Sequence, residues 1–154
     1  MPIIHDPMRV APRTGTIYPA PLDKGFEGRL KRALTQPLRL TQFGVNLTTL
    51  LPGAQSSHRH WHKQEDEFIY ILAGELVLML MDGEHVLRSQ MAVSFPAGVR
   101  NGHHLINRSA EPATYLEIGT RAKDDDITYP DVDLKVEKRA GTLRFFHKSG
   151  EPYR

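Results

Sequence analysis

Residues 56–70 read Ser-Ser-His-Arg-His-Trp-His-Lys-Gln-Glu-Asp-Glu-Phe-Ile-Tyr, with histidines at 58, 60 and 62 and carboxylates at 65, 66 and 67. Imidazole and carboxylate together are the ligands of a divalent metal ion. The chain has no cysteine, so any metal it binds is held by nitrogen and oxygen. Backbone conformation decides which of these residues meet. On a helix His58 and His62 share a face and His60 turns away, whereas on a strand all three line one face. Pro52-Gly53 upstream and the apolar run Phe68–Leu72 immediately downstream leave poor helix formers on both sides, so the stretch is read as strand. His62 and Glu67 then lie five apart, on opposite faces, unless the chain turns between them. The polar residues Lys63–Asp66 are that predicted turn or bulge, with Glu65 and Asp66 expected on it in water. A second supply of imidazole stands at His103 and His104, within Gly102–Asn107. One of them completes a three-histidine, one-glutamate set, which suits Mn, Fe, Co, Ni or Zn and leaves coordination positions open for water or substrate.

The elements that must position these groups are β-strands. Short runs of β-branched and apolar residues recur from Leu38: 38–51 up to Pro52-Gly53, 67–74 ending at a glycine, and 76–81 running into Asp82-Gly83, a strong hairpin signal. Runs at 84–98 and 113–121 follow, and the regular spacing predicts an all-β sandwich or barrel of roughly eight to eleven strands. Six of the eleven prolines fall at positions 2, 7, 12, 19, 21 and 37, which predicts an extended arm over 1–37, with room for a helical turn or two around Gly28–Leu34. The barrel is assigned to 38–123. Residues 124–154 are read as an irregular segment packing on it, with one or two edge strands.

In order and spacing, two motifs resemble those of the cupin superfamily. The first reads Gly53, six residues, His60-Trp61-His62, four residues, Glu67, six residues, Gly74; the second reads Gln90, five residues, Pro96-Ala97-Gly98, four residues, His103, three residues, Asn107. The match covers about residues 45 to 120 and is closest to small single-domain bacterial cupins. It implies a double-stranded β-helix (jelly-roll) barrel with an extended N-terminal arm, and His60, His62, Glu67 and His103 as ligands of one divalent ion. Gln90 stands where the pattern has glycine, a position that wants positive φ. The pattern makes His58 no ligand, and it is placed at the cavity mouth or under the N-terminal segment. Arg59, Trp61, Phe68 and Tyr70 alternate away from the metal, with Trp61 read as packing.

Composition narrows the rest. The chain has 154 residues, 25% charged and 40% hydrophobic, with formal net charge +2, as a single globular domain would. There is no apolar run of the ~20 residues a membrane span needs and no basic-then-apolar leader, so a cytoplasmic protein without a membrane partner is expected. The basic run Gly28–Leu34 lacks aromatic interleaving, and together with Lys123–Asp126 it is read as solvated surface, disfavouring nucleic acid. Arg100, Asn101 and His104 are read as a solvated loop beside the ligands. The resemblance to cupins, with its open metal position, implies a metal-dependent enzyme of dioxygenase, decarboxylase or isomerase type acting on a small carboxylate or hydroxylated compound. The alternative is a non-catalytic module that binds or senses a sugar or organic acid. The resemblance to small cupins, which often dimerise through N-terminal strands or sheet faces, together with the extended proline-rich arm, implies a homodimer.

Overall fold

Period-two alternation sorts the side chains of several strands into an inward and an outward set. In the computed structural model, which describes residues 1–154, the result is twelve strands and one short 3-10 helix (Pro7–Arg9). The strands are β1 (Arg29–Ala33), β2 (Phe43–Leu50), β3 (Trp61–His62), β4 (Glu67–Ala73), β5 (Glu75–Leu80), β6 (Gly83–Arg88), β7 (Ala92–Phe95), β8 (His104–Ile106), β9 (Ala113–Thr120), β10 (Asp125–Tyr129), β11 (Leu134–Arg139) and β12 (Thr142–Phe146). Three sheets form, in the orders β1-β2-β9-β4-β7, β6-β5-β8 and β12-β11-β10-β3. No helix is long and apolar enough to cross a membrane.

The main core is built from the inward positions of β4 (Ile69, Ile71), β5 (Leu76, Leu78) and β9 (Ala113, Tyr115), closed by Leu50, Leu87 and Leu105. Burying each of these large apolar side chains contributes about 1.5–3 kcal/mol. Glu67, Glu117 and Gly119 continue the same inward faces beyond the core. One strand face therefore carries hydrocarbon at one end and chemistry at the other.

The turns follow the sequence signals. β5 and β6 pair from Leu80↔Gly83 through the two-residue turn Met81-Asp82. Gly74 has φ +82, and a Cβ there would lie 2.9 Å from the Ala113 backbone. Gln90 takes φ +73, the conformation the glycine of the motif would adopt without strain.

Three expectations are corrected. Residues 124–154 are not irregular: β10, β11 and β12 form a regular antiparallel ladder that adds to β3. Their apolar alternation is real but is interleaved with charges: Ile127, Tyr129, Leu134 and Val136 point inward while Lys135 and Glu137 lie between. This second cluster draws Tyr18 and Leu22 from the arm against it. The Gly28–Leu34 segment is strand rather than helical turn, because Arg29–Ala33 pairs residue for residue with Asn46–Leu50. The strand number is twelve, above the expected range, because β3 is only two residues long and the C-terminal sheet adds three.

Candidate metal centre

The two histidine-bearing segments are stitched together by backbone. His60 N–H donates to the His103 carbonyl (3.2 Å) and His103 N–H to the His60 carbonyl (2.9 Å), while Gly98 N–H donates to the His62 carbonyl (2.8 Å). β3 ends at His62, the chain bends over Lys63–Asp66, and β4 opens at Glu67. The bend is held by Asp125 Oδ1, which accepts from Gln64 N–H at 2.8 Å, and by Asp66 Oδ1, which accepts from Ala97 N–H at 2.8 Å. It returns Glu67 to the side occupied by His60 and His62, as the turn read from Lys63–Asp66 requires.

Glu67 lies at the centre of the cluster. Its Oε2 is 2.6 Å from His103 Nε2 and 3.8 Å from His60 Nε2, and its Oε1 is 3.4 Å from His62 Nε2. The ligating atoms of His60, His62 and Glu67 all lie within 4.8 Å of one another. Although close to His103, Glu67 Oε2 is buried and has no aligned hydrogen-bond donor. No lysine or arginine reaches the carboxylate; only imidazoles face it. A buried carboxylate oxygen left in this way is costly, and a divalent cation is the partner that a three-imidazole, one-carboxylate donor set fits.

The rings are oriented from behind. His60 Nδ1–H donates to the His58 carbonyl at 2.9 Å, and His62 Nδ1–H donates to Asp125 Oδ2 at 2.6 Å, so both Nε2 atoms turn toward Glu67. His103 lies flat on Phe95, ring centroids 3.5 Å apart, and its Nδ1 is buried without a partner. Burial opposes the charged form of His62, but Asp125 and Glu67 outweigh it and push its pKa up to about 10. Burial alone would raise Glu67; the three imidazoles instead hold it well below the ordinary carboxylate range. Burial, helped by the charge on neighbouring histidines, lowers His103.

Asp125 was not among the residues singled out from sequence. Lys123–Asp126 was read as solvated surface, yet Asp125 is 1% exposed. Alternation along β10 would have found it, since Asp125, Ile127 and Tyr129 share one parity. Glu65 is a second correction. It is not in water: it turns inward, pairs with Lys138 and lies 3.6 Å from His62 Nδ1.

A cavity of about 600 Å³ opens onto the cluster, between the inner faces of the five-stranded sheet and the C-terminal sheet. Its size is that of a small-molecule site. Beside His60, His62, Glu67 and His103 it is lined by Arg29 and Lys31, which the sequence reading left in solvent. Strand parity splits the basic run, sending Arg29 and Lys31 inward. His104 also reaches this cavity, but its Nδ1–H donates to the Ser57 carbonyl (2.7 Å), and it is His103 that meets Glu67. His58 sits under the N-terminal segment, as expected, against Tyr18 and Phe26, with Nε2 2.8 Å from the Leu22 carbonyl. Of the loop residues, Arg100 is exposed over the Trp61 ring, while Asn101 accepts from Met81 N–H at 2.9 Å. Trp61 packs at the edge of a side cavity of about 120 Å³ with Phe95 and Val99.

These features define a class: an antiparallel β-barrel with a histidine–glutamate cluster at the open end of its cavity. The family model described as a cupin domain matches residues 46–119. A solved structure from Silicibacter pomeroyi, described as a sugar phosphate isomerase from a cupin superfamily, is 39% identical, with 99% of this chain and 97% of that chain covered and a TM-score of 0.93. The chain belongs to the cupin superfamily. A protein from Acidithiobacillus ferrooxidans, provisionally described as a sugar phosphate isomerase, is 25% identical, with 79% of this chain and 77% of that chain covered and a TM-score of 0.73. A polyketide cyclase from Streptomyces resistomycificus, 19% identical, shares the fold with a TM-score of 0.65 over 78% of this chain and 80% of its own. Among curated proteins none matches.

Proposed function

We propose that this protein is a metal-dependent isomerase of a small phosphorylated sugar, with one divalent ion (Mn, Fe, Ni, Co or Zn) held by His60, His62, Glu67 and His103. The observation that carries the reading is the buried Glu67 carboxylate, faced by three imidazoles at the end of a cavity sized for a small molecule. The Silicibacter pomeroyi relative, similar over its whole length, supports isomerisation over the decarboxylase and dioxygenase alternatives. An ion at the cluster supplies Lewis acidity to a hydroxy-carbonyl group and so acidifies the C–H bond between its oxygens. The chain's own groups do the rest. Asp125 keeps the His62 Nδ1 proton in place, and Glu65, paired with Lys138 on the cavity wall, stands on the same Nδ1 side of that ring. Buried walls of Ile69, Ile127 and Tyr129 keep water from the reacting face.

The test is to purify the protein without a histidine tag, measure its metal content, and follow aldose–ketose phosphate interconversion by proton NMR. Stoichiometric metal and turnover, both lost in His62→Ala, are expected. Tight binding of the phosphate ester without turnover would instead support a binding module, and absence of any copurifying transition metal would remove the basis of the reading. The same reading keeps the cytoplasmic setting and the homodimer as proposals. Exposed Ile4 and Met8 in the arm and Phe68 and Leu72 on the outer sheet face favour the dimer. A monomeric mass by light scattering at micromolar concentration counts against it.

A further inference from the structure

Arg29 is a half-buried cation with no partner. It projects from the inner face of β1 into the large cavity, and no carboxylate lies within 4.0 Å of its guanidinium. The other interior cations are engaged: Lys31 lies 3.4 Å from Glu117 Oε1, and Lys138 pairs with Glu65. An uncompensated guanidinium removed from bulk water carries a desolvation cost that an anion relieves, and its planar fork matches the oxygens of a phosphate. Lys31 is two residues along the same strand face, about 7 Å away. The arm adds a third cation on this wall, because Arg13 and Lys31 exchange backbone hydrogen bonds of 2.9 Å, which fixes Arg13 at the rim.

The wall is within reach of the metal cluster for a small molecule. Tyr129 stands between the two regions, its ring 5.5 Å from that of His60 and 5.6 Å from that of Tyr18, and all three rings line the cavity. With Lys31 shared with Glu117, Arg29 and Arg13 leave about two positive charges on this wall, which suit a dianion better than a monoanion.

We propose that Arg29, flanked by Lys31 and Arg13, is the anion subsite that holds the phosphate monoester of a ligand whose hydroxy-carbonyl end meets His60, His62, Glu67 and His103. The inference rests on the isomerase reading for the second half of that sentence, but phosphate capture by Arg29 requires neither metal nor turnover.

The experiment uses the full chain in chelator, titrated with inorganic phosphate, a pentose 5-phosphate and the free pentose, by calorimetry and by the arginine Nε–Hε NMR signals. The phosphate ester is expected to bind and to shift the Arg29 signal, the free pentose to bind at least tenfold more weakly, and Arg29→Gln to weaken the ester at least tenfold. Arg88→Gln, on the outer surface, leaves binding unchanged. Should Arg29→Gln melt early, Arg29→Lys keeps the charge without the fork and is expected to lose part of the affinity. Unchanged ester binding in both Arg29 variants, equal binding of free pentose, or no ester binding by the wild-type chain overturns the subsite. Tighter binding of a small dicarboxylate than of the ester overturns the ligand class. His62→Ala separates the two readings. Ester binding retained there, with no turnover in the metal-loaded wild type, leaves the subsite standing while the isomerase reading falls.

Discussion

Replacing Asp125 by Asn removes one charge and changes almost no volume, so its effect isolates the role of the carboxylate behind His62. Asp125 makes two bonds with opposite demands on a substitute. Oδ1 accepts from Gln64 N–H at 2.8 Å, and Oδ2 accepts from His62 Nδ1–H at 2.6 Å. An asparagine has one acceptor and one donor arm. If its oxygen faces Gln64, its amide N–H faces Nδ1, which drives the His62 proton onto Nε2 and points it at Glu67. If its oxygen faces His62, two N–H groups oppose each other at Gln64. In the first case a charge-assisted bond is exchanged for a weaker neutral one of reversed direction, and in the second Gln64 N–H loses its acceptor, at about 1–3 kcal/mol of stability in the metal-free protein. For metal binding the relevant loss is that of a partner that orients a ligand, about 10- to 100-fold in affinity, equivalent to about 1.4–2.7 kcal/mol. Competition titration of Mn or Zn against a chelator of known affinity reads this directly, with urea melts in chelator reading the stability. Metal affinity of Asp125→Asn within twofold of wild type would refute the claim that Asp125 sets the His62 tautomer.

Gly74→Ala combines a positive φ with a Cβ placed 2.9 Å from Ala113 and the Pro112 carbonyl; a loss of about 2–4 kcal/mol is expected in urea unfolding, and a loss below about 0.5 kcal/mol would show that the strands part easily there. Gln90→Gly relieves φ +73 while keeping the 2.8 Å bond from its N–H to the Ile71 carbonyl; a gain of up to about 1 kcal/mol is expected by the same assay, and a loss would mean the turn is unstrained. In chelator, the raised pKa of His62 makes its pairing a stabilising term that is complete below its unfolded value of about 6.5 and is lost as pH rises through about 10. Thermal midpoints between pH 7 and pH 10.5 should therefore fall more steeply in the wild type than in Asp125→Asn; parallel curves would contradict the assignment.

Much of the site was legible because strand parity and turn chemistry are local. Three histidines at alternate positions, a polar break at Lys63–Asp66 and a glutamate opening the next apolar run are enough to place His60, His62 and Glu67 on one side, and the structure brings them together. The hairpin at Asp82-Gly83 follows from the same local rules, whereas the positive φ of Gln90 was expected only from the resemblance to the cupin pattern. What could not be read is long-range. Alternation along β10 sets Asp125 on the face of Ile127 and Tyr129, but that this face meets His62, and that Glu65 turns inward beside it, depends on β10 pairing with β3. Arg29 and Lys31 look like part of a solvated basic run because their inward direction depends on β1 pairing with β2.

The sequence by itself determined the strand class, the turns and the residues able to ligate, since each depends on the period of two and on the conformational limits of single residues. Only the tertiary structure decided which charged groups are inside. An ionisable side chain reads the same in sequence whether water or a facing sheet surrounds it. The pairing of strands far apart in the chain decides which, and with it the partner of His62 and the unpaired charge of Arg29.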